Sequence, residues 1–290
     1  MVGLEGMGST RLRLWRLTVY LVWTLALMPV QAVGLLLRRP WAVTLPRFYH
    51  RACCRILGIH VRRIGEPTAN RPALFASNHV SYLDITALGS ILAGGFVAKA
   101  EVASWPLFGW LAKMQRCVFV DRQVRSTAEQ RDAMSERLAN NEALILFPEG
   151  TSHDGNRVLP FKSALFSAVV RPPASPQVAV QPVSVTYARL DGLPIGRGFR
   201  PLFAWYGDMA MAPHLWRMIG LGTLEVVIEF HTPTTFAECG SRKALAAYCE
   251  ARAVAGVNAA LTGRRQPAVP APPPRERAEP VAIDIPAAAT

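Results

Sequence analysis

The first long pattern in the chain is apolar. From Leu17 to Leu37 there are 21 consecutive residues without a charge, close to the ~20 a helix needs to span the hydrocarbon core of a bilayer. Arg11, Arg13 and Arg16 precede this stretch, and Arg38, Arg39, Arg47, Arg51 and Arg55 follow it. The richer following flank places the next domain on the cytoplasmic side. The length of the run, and the lack of a small-x-small site before Arg38, argue against a cleaved signal peptide. Pro29 lies mid-segment, so a re-entrant or interfacial helix stands beside a true span. From Pro46 to Gly58 the period changes. Pro46 suits a first helical position and Gly58 a C-terminal stop. Arg47, Arg51 and Arg55 line one face, while Phe48, Ala52 and Ile56 share a stripe with Tyr49, Cys53 and Leu57. A basic amphipathic helix of this kind is expected to lie among lipid headgroups.

Beyond Gly58 short apolar runs alternate with helical patterns. Ala73–Ser77, Gly95–Ala98, Cys117–Val120, Ala143–Phe147, Val178–Tyr187 and Leu224–Phe230 read as strands. Tyr82–Ile91, with Ser81 as its cap, and Pro106–Met114, Thr127–Asn140 and Ser241–Leu261 read as helices. This alternation predicts an α/β fold, a mixed sheet flanked by helices. Three regions follow: an N-terminal membrane segment with its amphipathic helix (1–58), a catalytic-type domain (59–262), and a Pro/Ala-rich tail (263–290) expected to be disordered.

Composition narrows the partners. The 290-residue chain is 51% hydrophobic and carries a formal charge of +12. Only four of its 32 basic residues are lysines, and guanidinium suits oxyanions through its bidentate fork. No zinc finger, RNP-like aromatic motif or basic zipper accompanies that charge, so the expected partner is anionic lipid and not nucleic acid. The five cysteines form no CxxC pair, as in a reduced, intracellular domain.

Two motifs carry chemistry. His79 and Asp84 are five residues apart, roughly 140° around an uninterrupted helix, so they can meet only if His79 lies outside the helix that holds Asp84. The Asn78–Ser81 turn allows that. Asp84 would then fix the imidazole tautomer and leave the other ring nitrogen free to take a proton. The bland alternative is a structural His–Asp pair. The second motif, Phe147-Pro148-Glu149-Gly150-Thr151, places a carboxylate, a turn and a hydroxyl at another strand end, and open α/β sheets collect their sites beyond the carboxyl ends of strands. No Gly-x-Ser-x-Gly elbow or HExxH motif points to a hydrolase.

Asn78-His79-x-Ser81-x-x-Asp84 followed by Phe147-Pro148-Glu149-Gly150-Thr151 resembles the glycerolipid acyltransferase family, of which 1-acylglycerol-3-phosphate acyltransferase is a well-known bacterial type. Two further blocks are similar to that family. One runs from Lys99-Ala100-Glu101 through Trp105-Pro106-Leu107-Phe108-Gly109 to Phe119-Val120-Asp121-Arg122, and the other is Val180-Gln181-Pro182-Val183. The resemblance covers roughly residues 45 to 230. It implies His79 as general base and Asp84 as its orienter, and a substrate site drawn from Asn78, Ser81, Lys99, Arg122, Glu149, Gly150 and Thr151. It implies acyl carrier protein or coenzyme A thioesters as donors, and no cofactor or metal. The location implied is a bacterial inner membrane with the catalytic domain facing the cytoplasm.

One departure matters. Where the family usually carries Arg after Gly-Thr, this chain has Ser152-His153, with Arg157 and Lys162 as nearby substitutes. That stretch, with Trp205-Tyr206-Gly207-Asp208-Met209, is similar to lyso-ornithine lipid acyltransferases, whose acceptor has an amino acid headgroup. The leading expectation is acylation of 1-acyl-sn-glycerol-3-phosphate to phosphatidic acid, with lyso-ornithine lipid as the alternative acceptor. A membrane-anchored lipid-binding protein with a degenerate site is the reading of another class.

Overall fold

The computed structural model describes residues 8–120, 127–170 and 177–264. Asp121, Arg122 and all but the first two residues of the expected tail lie outside the described residues. The strands are β1 (Ile59–Ile64), β2 (Ala73–Ser77), β3 (Gly95–Lys99), β4 (Val118–Val120), β5 (Ala143–Leu146), β6 (Ala179–Leu190), β7 (Leu193–Pro194) and β8 (Leu224–Phe230). The helices are α1 (Thr10–Leu36), α2 (Trp41–Leu57), α3 (Leu83–Gly89), α4 (Phe108–Met114), α5 (Thr127–Ala139), α6 (Met211–Met218), α7 (Phe236–Cys239) and α8 (Arg242–Thr262).

The strands form one mixed sheet in the order β1-β8-β6-β2-β5-β3-β4, with β7 paired to β6. β2 runs parallel to both β5 and β6, and β3 parallel to β5, while β6 and β8 are antiparallel. Every residue of β2 and β5 is buried, as expected of parallel strands covered on both faces. Alternation still sorts their side chains. Phe75, Ile145 and Val183 face a core closed by α2, α3 and α6, while Leu74, Leu144 and Val180 face the opposite core under α5 and α8. Because β2, β5 and β3 are parallel neighbours, their carboxyl ends open on one edge of the sheet.

The N-terminal helices belong to the same body. Arg16 is 8% exposed, and its guanidinium donates to the carbonyl oxygens of Ile219 (3.2 Å), Leu221 (2.6 Å) and Gly222 (3.2 Å) after α6. Gly58 ends α2 with φ +73°. A Cβ there would collide with the same guanidinium, so this glycine serves both its backbone conformation and the seat of Arg16.

Two details correct the sequence expectations. Pro46 does not open α2, because the helix starts at Trp41 and runs through it. A proline inside a helix leaves the carbonyl four residues earlier without its amide donor. Here that carbonyl, Ala42, accepts a hydrogen bond from Gln31 Nε2 of α1 at 2.9 Å, and the same nitrogen donates to Met114 at the end of α4 (2.9 Å). Nor does Ser81 cap α3. Tyr82 holds the cap position and makes no side-chain cap bond. The Asp84 carboxylate reaches back instead to the amides of Val80 (2.7 Å) and Ser81 (3.0 Å). β1, which the sequence reading omitted, pairs with β8 at the sheet edge.

Replacing Arg16 with Met keeps the aliphatic packing and removes the donors to three carbonyl groups. Hydrogen bonds from charged groups contribute roughly 1.5–3 kcal/mol each when buried. We expect Arg16→Met to lower the thermal midpoint of the detergent-solubilised protein by several degrees, measured by scanning fluorimetry, with a smaller effect for Arg11→Met.

Candidate active site

β2 ends at Ser77 and α3 starts at Leu83, so the residues between form a short turn at the open edge of the sheet. Asn78 anchors it. Its side-chain nitrogen donates to the Val185 carbonyl (2.9 Å), and its oxygen accepts from the Val185 amide (2.7 Å). The amide thus extends the β2–β6 pairing by one side-chain rung. With 2% exposure, Asn78, which the sequence reading had placed among the substrate-site residues, is buried here as an anchor of the turn.

His79 lies outside α3 and Asp84 in its first turn. Their side chains meet, His79 Nδ1 to Asp84 Oδ2, at 2.8 Å. The Asp84 carboxylate is fully buried. Besides the imidazole and the two amides already named, it accepts from the Tyr187 hydroxyl at 2.7 Å. Burial, and then the neighbouring Asp84 charge, raise the Tyr187 pKa well above its ordinary value of 10, so the phenol stays a donor. A carboxylate only accepts, so in the neutral imidazole the proton sits on Nδ1 and Nε2 carries the lone pair. The imidazole is stacked on Phe147, with centroids 4.1 Å apart and planes at 17°, and its side chain retains 19% exposure.

The second motif holds the first from below. Phe147 to Gly150 form a turn closed by the Gly150 amide on the Phe147 carbonyl (3.0 Å), with Pro148 second and Gly150 at φ +70°, a conformation that favours glycine. Glu149 is 2% exposed. Its Oε1 accepts the His79 amide at 3.2 Å, and the His79 carbonyl accepts the His153 amide at 3.1 Å. Both main-chain groups of His79 are therefore held by the 147–153 loop. Burial pushes the Glu149 carboxyl up to about 8, and Glu149 supports His79 from the interior instead of lining the cavity.

A cavity of about 430 Å³ opens at His79. It is lined by the exposed residues Thr151 and Lys99, by Tyr20 and Tyr49, and by His50 and Gln115. Gln115 donates to the Gly94 carbonyl just ahead of β3 (3.3 Å), while Lys99 ends that strand, so the cavity runs the length of β3, ~15 Å at ~3.3 Å per residue. Most of its walls are apolar, which suits a hydrocarbon chain. Among the sequence-proposed residues, the structure brings His79, Gly150, Thr151 and Lys99 to this cavity, and buries Asn78, Ser81, Asp84 and Glu149 behind it. Arg122 lies outside the described residues. Lys162 is exposed and its amide holds the Pro148 carbonyl at 2.9 Å. Sequence reasoning passed over Tyr187 as a partner of the site, and quoted Phe147 in the second motif without giving it the stacking role it has against His79. The signal for Tyr187 was its place in the alternation Val183, Val185, Tyr187, which puts it on the face of Asn78's partner.

Comparisons with known proteins agree with this geometry. Residues 58–186 match a family model described as "Acyltransferase". A lyso-ornithine lipid O-acyltransferase of Brucella abortus is 42% identical over 248 residues, 84% of this chain and 93% of that protein. The enzyme of that name from Rhizobium meliloti is 44% identical over 76% of this chain and 77% of its own length. A 1-acyl-sn-glycerol-3-phosphate acyltransferase of Neisseria gonorrhoeae is 32% identical over 63% of this chain and 69% of its own. The crystal structure of the 1-acyl-sn-glycerophosphate acyltransferase from Thermotoga maritima superposes with a TM-score of 0.62 over 85% of this chain and 93% of that one, at 22% identity, and so shares the fold. With a sheet, an edge site and relatives of this kind, the chain belongs to the glycerolipid acyltransferase family and is an acyltransferase acting on lysolipids.

Proposed function

We propose that the protein is a lyso-ornithine lipid O-acyltransferase, with His79 as general base and Asp84 as the residue that holds its tautomer. The observation that carries the mechanism is the 2.8 Å contact from His79 Nδ1 to a carboxylate with no exposure of its own. The lysolipid hydroxyl gives its proton to the bare Nε2 while its oxygen attacks the thioester carbonyl. As the tetrahedral adduct collapses, the carbon–sulfur bond breaks and the leaving sulfur takes the proton back from the imidazolium. The donor is a fatty acyl thioester of acyl carrier protein or coenzyme A, and its chain occupies the apolar cavity. Support for the ornithine acceptor comes from relatives at 42–44% identity that carry that name and from Ser152-His153 in place of the family's Arg.

The membrane placement follows from α1. It is long and apolar enough to cross a bilayer. Yet Arg16 near its start and Gln31 near its end are both bonded to the domain that holds His79. Leu14, Trp15, Val22, Leu25, Val33 and Leu36 point away from that domain, each at least half exposed. In this reading α1 lies in the interface with its outer face in lipid, and the catalytic domain sits on the cytoplasmic side.

Membranes containing the protein, supplied with labelled acyl thioester, should acylate lyso-ornithine lipid faster than 1-acylglycerol 3-phosphate. The opposite order would favour the glycerol phosphate acceptor of the Neisseria relative. His79→Ala should lower kcat by about 10³, within the range for loss of a general base; undiminished activity would leave only a lipid-binding role.

Glu149 gives a second test. Its pKa is raised from 4.5 to about 8, so the folded protein keeps a proton that the unfolded chain releases between those values. Its contribution to stability is therefore complete below about pH 4.5 and disappears as pH rises to about 8. Gln matches the protonated carboxyl and still accepts the His79 amide. Glu149→Gln should retain most activity and show a shallower fall of thermal midpoint between pH 5 and 8 than the wild type, whereas Glu149→Leu should lose both activity and stability.

A further inference from the structure

Beyond Ser152, which lines the cavity, the same loop carries charged groups that the transfer chemistry does not use. The loop is fixed close to the base. His153 donates its amide to the His79 carbonyl (3.1 Å), and Gly155, at φ +76°, packs against Val80. Asp154 lies between them. Its Oδ1 accepts from the Asn156 amide (2.9 Å) and its Oδ2 from the Asn156 side chain (3.0 Å), while the His153 ring nitrogen Nδ1 lies 2.6 Å from Oδ1. Arg200 donates to Asn156 Oδ1 (2.5 Å) and Arg157 to His153 Nε2 (3.3 Å). One carboxylate and two guanidinium groups thus form one cluster on the loop that follows Ser152, joined through Asn156 and His153. Burial acts to raise the Asp154 pKa, but the Asn156 hydrogen bonds and the charges of His153 and Arg157 outweigh it and leave the group below its ordinary value. Asp154 is anionic at neutral pH.

A phosphate monoester carries negative charge alone, and a fixed carboxylate beside its site opposes it. An ornithine headgroup attached through one of its two amino groups keeps one ammonium and one carboxylate, so it has a counterpart for both signs in this cluster. We propose that Asp154 binds the ammonium of the acceptor headgroup while Arg157 and Arg200 bind its carboxylate, making residues 154–157 the determinant of acceptor choice. This inference rests on the ornithine reading of the acceptor. Ser152 fits the same scheme. It stands where the family's Arg would otherwise sit, and its hydroxyl donates to the Trp205 carbonyl.

The test uses the full-length protein in membranes, with KM and kcat measured for both lyso-ornithine lipid and 1-acylglycerol 3-phosphate. Asp154→Asn is the informative variant, because an Asn oxygen can still accept the Asn156 amide and keep the turn. It should raise KM for lyso-ornithine lipid about tenfold, beyond any change in kcat, and move the ratio of kcat/KM values toward the phosphate acceptor by at least that factor. Asp154→Glu should restore part of the preference. An equal change for both acceptors, or none, with the wild type active on lyso-ornithine lipid, would overturn the headgroup role and leave the acceptor reading intact. A wild type inactive on lyso-ornithine lipid but active on the phosphate would overturn both.

Discussion

The site depends on one buried carboxylate. Asp84 has no solvent of its own, and an ion in such a place is tolerable only when its oxygens are filled by donors. Four donors fill them: two amides of its own turn, the His79 ring and the Tyr187 phenol from β6. Each comes from a different level of the structure. The amides set the local backbone between β2 and α3. The ring nitrogen sets the tautomer. The phenol ties the turn to the middle of the sheet. Removing the charge would therefore loosen the turn and misassign the proton together.

Much of this could be read along the chain. Ala73–Ser77 and Ala143–Leu146 were legible as central strands because continuous apolar runs bounded by turn residues are what a strand covered on both faces requires. The His79–Asp84 contact followed from spacing, since the pair can meet only across a helix start. Ile59–Ile64 was not legible. Its His60, Arg62 and Arg63 dilute the apolar pattern, and it is an edge strand whose pairing comes from β8, more than 150 residues later. Ser81 misled because a serine before a helix is a strong capping signal, but here Tyr82 takes the cap position and the Ser81 amide, with that of Val80, is held by the Asp84 carboxylate. Pro46 misled likewise. Proline inside a helix is costly unless something serves the abandoned carbonyl, and Gln31 is remote in sequence and visible only in three dimensions.

The same Gln31 explains how helices of weak individual specificity enclose a cavity. One side-chain amide serves α2, at the carbonyl that Pro46 leaves open, and the last turn of α4. The loop at 147–153 performs the matching task at the other end, holding the His79 backbone by its amide and its carbonyl. The His79 ring is thus placed by main-chain geometry, while apolar walls of the cavity beside it are drawn from α1, α2 and α4.

Arg16 joins α1 to the segment after α6 through three carbonyl groups, so the apolar helix is fastened to the domain that holds the His79 turn. With α1 in lipid, as proposed above, the protein would meet its lysolipid by lateral diffusion within a sheet of lipid. Its turnover then answers to the number of acceptor molecules per unit of bilayer area, and diluting the acceptor with inert lipid slows it even when the bulk amount is unchanged.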